Sequence, residues 1–71
     1  KKKLIIISIL GEGELINIEA KLDVMGVEII EKRYDLVWRR YDVYVKVTRT
    51  QAYDLLEFTK HHSAILRKGE F

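Results

Sequence analysis

Seventy-one residues suffice for one domain with a modest core, and a hydrophobic content of 48% excludes a disordered chain. The formal charge of +2, from 13 basic and 11 acidic residues, excludes the one-sided field of a dedicated nucleic-acid binder. With no cysteine, neither a disulfide framework nor a thiolate metal site can support the core.

Leu4 to Leu10 is β-branched and apolar on both alternating faces, which predicts a central strand. It is too short to cross a bilayer, and no small-residue cleavage site follows to make Lys1-Lys2-Lys3 and this run a signal peptide. The chain starts with lysine, as an excised domain, a processed product or an engineered chain would. Gly11-Glu12-Gly13 then breaks the strand. Glu14 to Met25 carries two patterns at once. Leu15, Ile18, Leu22 and Met25 recur at helical spacing, with Gly26 placed where a helix ends. Ile16, Ile18, Ala20 and Leu22 also alternate as a strand would. The helix is favoured, because Met-Gly-Val leads into a new strand and the overall layout then makes sense.

Val27 to Tyr34 reads as a strand, followed by a loop near Asp35-Leu36. Tyr41 to Thr48 is the cleanest strand, with Tyr41, Val43, Val45 and Val47 on one face and Asp42, Tyr44, Lys46 and Thr48 on the other. Thr48-Arg49-Thr50-Gln51 has capping-box form. The helix after it presents Ala52, Leu55, Leu56 and Thr59 to one side, with Phe58 close by. Its last turn holds Lys60, His61 and His62, which complement the helix dipole. Ala64 to Arg67 is a short final strand and Lys68 to Phe71 a tail.

Read in order, the elements are β-α-β-β-α-β, which resembles the ferredoxin-like plait over nearly the whole chain. That resemblance implies an α+β fold with two helices on one face of a four-stranded antiparallel sheet, and little about function. The outline is also similar to the inhibitory pro-segments of subtilisin-type proteases and carboxypeptidases, through Lys1 to Leu10, Gly26-Val27, Tyr44 to Val47 and Ala64 to Arg67. It is similar as well to the small domain that precedes the membrane helices of a sporulation protein family, through Gly26-Val27 and Arg67-Lys68-Gly69. RNA-recognition motifs share the fold but need base-stacking aromatics on the first and third strands, where only Tyr44 fits. Acylphosphatases need a phosphate-cradling loop after the first strand, and Gly11-Glu12-Gly13-Glu14 is acidic there.

No catalytic, metal or cofactor site is expected. Adjacent histidines on a helix point about 100° apart and rarely share a metal without a third ligand. His61 and His62 therefore read as helix-end residues. Glu12 and Glu14 read as solvating a loop, Asp54 and Glu57 as exposed helix charges, and Ser8 lacks a nucleophile-elbow context. Lys1, Lys2, Lys3, Arg39, Arg40 and Lys46 form a candidate basic patch if the strand ends converge. Glu31, Asp42 and Glu70 dilute it, so nucleic acid is disfavoured as a partner.

The most informative surface is the sheet face opposite the helices. If Ile5, Ile7 and Ile9 face the helices with Val43, Val45 and Val47, then Leu4, Ile6 and Leu10 emerge on the other side. They lie there beside Tyr44 and, from the second strand, Ile30 and Tyr34. An apolar patch edged by tyrosines is typical of interface centres, unless Trp38, the tail with Phe71 or an imperfect alternation of the strands covers these residues. The expected function is a non-enzymatic module that docks a protein partner or a second copy through this face. Two other readings are a designed scaffold without natural function, compatible with the absent proline and cysteine, and a basic nucleic-acid adaptor. The absence of cysteine and of a signal peptide favours a cytoplasmic location.

Overall fold

The structure, a computed structural model, describes residues 1–68. Its elements are β1 (Lys3–Ile9), α1 (Glu12–Met25), β2 (Ile29–Asp35), β3 (Arg40–Val47), α2 (Arg49–Lys60) and β4 (Ala64–Lys68). The sheet order is β2-β3-β1-β4, and every neighbouring pair is antiparallel. Each helix therefore joins two strands separated by a third, as a chain crossing over one face must. This is an α+β, ferredoxin-like arrangement.

The core fills the helix side of the sheet. Ile5, Ile7 and Ile9 from β1 and Val43, Val45 and Val47 from β3 are buried with Ile18, Leu22 and Leu55 from the helices. The register sets Ile5 against Val45 and Ile7 against Val43, so two β-branched rows lie side by side.

The segment with two patterns is a helix, and it starts earlier than expected. Gly11 occupies the N-cap without a side chain to cap it, and Glu12 and Glu14 fall in the first turn, where negative charge complements the helix dipole. At the other end Gly26 takes a left-handed φ of 73°. Its N–H donates to the Asp23 carbonyl at 3.0 Å and that of Val27 to the Leu22 carbonyl at 2.9 Å. These two bonds form a Schellman closure, which glycine adopts without a Cβ penalty. Ile16, Ala20 and Val24 lie four residues apart on the exposed side. The strand-like alternation thus belongs to a helix with apolar residues on two sides.

α2 is capped reciprocally. The Gln51 N–H donates to Thr48 Oγ1 at 3.2 Å, and the Thr48 N–H donates to Gln51 Oε1 at 3.0 Å. Thr48→Ala removes one of these acceptors and is expected to cost about 1 kcal/mol. In a domain of this size that lowers Tm by roughly 4–8 °C, measurable in a thermal melt followed by circular dichroism.

β2 carries a bulge that changes its faces. Ile29 lies opposite Val45, while Glu31 lies opposite Tyr44, so Ile30 is an extra residue. Beyond it Lys32 pairs with Val43 and Tyr34 with Tyr41, on the helix side, and Arg33 pairs with Asp42 on the uncovered side. Tyr34 was expected beside Ile30 on the uncovered face. The bulge shifts the alternation by one and puts it on the other, with its ring 4.8 Å from that of Tyr41.

Candidate functional site

The sheet face away from the helices is built from three cross-strand rows. Leu4 stands beside Lys46; Ile6 stands between Tyr44 and Arg67; Ser8 stands between Asp42 and Ile65. Leu4, Ile6 and Tyr44 are half-buried by one another and by neighbouring stems. Leu10, Ile30 and Ile65 are exposed at its margins. Trp38 does not cover this face, because it sits in the β2–β3 turn and is itself 68% exposed. The cover expected from Phe71 and the charge of Glu70 lie outside the described residues.

The other half of the face is ionic, with Asp42 on it as the alternation of β3 predicts and Ser8 and Arg67 joined to it. Ser8 Oγ donates to Asp42 Oδ1 at 2.8 Å, and Arg67 Nε donates to Ser8 Oγ at 3.0 Å. The Asp42 carboxylate also lies 3.4 Å from Arg67 Nη2 and 3.3 Å from Arg40 Nε. The Arg40 contact is close in distance but not aligned as a hydrogen bond, and that buried Nε has no other partner among the described residues. Ser8 and Asp42 are buried although no helix lies above them, because the arginine side chains reach across. Two guanidiniums against one carboxylate leave the cluster with a net positive charge. Next to it Arg33 pairs with Glu31 and lies over the Tyr44 ring, 5.3 Å from its centroid. The hydrogen bond to Glu31, and then the charge of Glu31, hold the Arg33 guanidinium above its ordinary range.

Where β1 ends and β3 and β4 begin, Leu10, Arg40, Lys60, His62, Ile65 and Arg67 line an open groove of about 460 Å³. His62 stacks on Phe58 with ring centroids 4.2 Å apart, and its Nδ1 is 2.8 Å from Glu14 Oε2. His61 points elsewhere, 3.8 Å from Glu57. Glu12 and Glu14, expected to solvate a loop, instead tie α1 to the rest of the fold. Glu12 accepts a hydrogen bond from the Tyr41 hydroxyl at 3.0 Å. That bond, more than the accompanying burial, raises the Tyr41 phenol above its usual range. No group of three or more metal-ligating side chains occurs among the described residues.

The basic patch does not assemble. Lys1 and Lys2 precede β1, Lys3 pairs with Val47 and Leu4 with Lys46, so these lysines share one end of the sheet. Arg39 and Arg40 stand at the opposite end of β3, roughly 20 Å of strand away. The antiparallel pairing of β1 with β3 enforces this separation. Among these residues Arg40 is engaged by Asp42.

Compared with protein-family models, curated proteins and solved structures, the chain matches none of them. Fold and site together define a small α+β plait whose uncovered sheet face is half apolar and half ionic. Its polar centre is arranged to hold charge in place. The Ser8 hydroxyl is engaged twice, donating a hydrogen bond to Asp42 and accepting one from Arg67. Among the described residues no helix is long and apolar enough to cross a membrane. The Ser8–Asp42–Arg67 link was hidden in the sequence, where only a polar residue inside each of two apolar strands hinted at it.

Proposed function

We propose that this chain is a non-enzymatic interaction module that docks a protein partner, or a second copy of itself, through the uncovered sheet face. The observation that carries this reading is the row of Leu4, Ile6 and Tyr44 set directly beside the Ser8–Asp42–Arg40–Arg67 cluster. An apolar strip supplies the area a partner buries, and a rigid charged cluster next to it supplies orientation. The net positive charge suits a partner that presents an acidic side chain beside its own apolar residues.

Sedimentation velocity across a dilution series tests self-association. The expected result is a concentration-dependent dimer that Ile6→Lys and Tyr44→Glu each convert to monomer. A chain that is monomeric throughout, and whose binding to protein partners neither substitution alters, overturns the reading.

A further inference from the structure

The hairpin joining β2 to β3 ends in three consecutive large apolar residues that no other described residue covers. Leu36, Val37 and Trp38 are 80%, 85% and 68% exposed. Consecutive apolar side chains on a solvent-facing turn cost solubility and contribute nothing to the core, so their presence calls for a partner. The tip is also held in shape. Asp35 Oδ1 accepts hydrogen bonds from the N–H groups of Val37 at 2.9 Å and Trp38 at 3.1 Å. Arg39 closes the turn with a φ of 53°.

The residues behind the tip are graded in polarity. Arg39 is exposed and has no carboxylate within salt-bridge reach among the described residues. Arg33 and Arg40 are held by Glu31 and Asp42 and Asp35 is turned into the tip's own backbone, so among the described residues Arg39 is the cation the tip offers to a partner. Below them lies the Tyr34–Tyr41 aromatic pair. Apolar residues outermost, then tryptophan, then arginine and tyrosine, is the order in which side chains settle across a membrane interface.

We propose that this hairpin tip inserts into the headgroup region of an anionic lipid bilayer, with Leu36, Val37 and Trp38 entering the acyl boundary and Arg39 meeting lipid phosphates. Two backbone N–H groups of the tip are already satisfied by Asp35, which removes part of the penalty for taking a turn out of water. The insertion is shallow and reversible, since one turn buries only a few side chains. This contact is separate from the uncovered sheet face.

Trp38 is the only tryptophan in the chain, so its emission reports on the tip directly. Titration with vesicles of mixed phosphatidylcholine and phosphatidylserine is expected to shift the emission to the blue and to carry the protein into the vesicle pellet. Pure phosphatidylcholine gives weaker binding, and added salt weakens binding to the mixed vesicles. Val37→Asp is expected to reduce partitioning by about tenfold or more, and Arg39→Gln by about fivefold. Far-UV circular dichroism verifies that each variant keeps the fold. The proposal is overturned by an absent shift and absent co-sedimentation at saturating lipid, or by binding that both variants leave unchanged. A blue shift that grows with protein concentration in the absence of lipid also overturns it, by placing a second copy at the tip.

Discussion

Ile7→Ala is expected to lower the unfolding free energy by about 3 kcal/mol, while Ile6→Ala, one residue away, costs about 1 kcal/mol. Ile7 is fully buried at the centre of the core, between Val43 on β3 and Leu66 on β4. Truncation there removes three methyl or methylene groups and leaves a cavity that a sheet paired on both sides closes poorly. Ile6 faces away from the helices and is only half-buried, so water can fill part of the space. For a chain of this length total stability is roughly 4–11 kcal/mol, so the first change consumes a large share of it. Urea titrations of both variants measure the contrast as a shift in midpoint with unchanged slope. Equal losses at the two positions contradict the assignment of the core to one face.

The second large effect is expected at Asp42. Asp42→Ala leaves two guanidiniums facing each other and takes away the acceptor of the Ser8 hydroxyl. Removing one partner of a fully buried pair costs several kcal/mol, but the Arg40 and Arg67 side chains are 29% and 41% exposed and stay partly hydrated. The expected loss is therefore about 2 kcal/mol. Arg67→Met in the same background separates the direct term. A double-mutant cycle is expected to give a coupling of about 1 kcal/mol between Asp42 and Arg67, read from urea midpoints. A loss below about 0.5 kcal/mol for Asp42→Ala identifies the cluster as ordinary surface charge.

How far the sequence foretells this structure differs from element to element. The alternation of Val43, Val45 and Val47 and the β-branched run from Ile5 to Ile9 determine which faces become core, and both lie where that alternation predicts. The capping box at Thr48 marks the start of α2 to the residue. The ambiguity over α1 has a physical source: Ile16, Ala20 and Val24 are exposed, so the apolar pattern overstates what the core uses. Simple alternation sets Tyr34 on the uncovered face, and the inserted residue at Ile30, which leaves no mark in composition, reverses that. The ion cluster was illegible for another reason. Ser8, Asp42 and Arg67 are far apart in sequence, and only the pairing register of three strands brings them together.

The bulge in β2 also bears on how copies of this sheet can associate. β2 and β4 are its two edges. Ile30 interrupts the regular ladder on the first, and Glu31, Lys32 and Arg33 follow it with three consecutive charges. Both are devices that discourage a further strand from adding. An open-ended polymer needs two usable edges per copy, one to receive and one to donate. With β2 spoiled, growth by strand addition has only β4 to work with, and two copies meeting there use up both available edges. Edge pairing in this fold is therefore disfavoured at β2, and pairing through β4 alone closes at two copies.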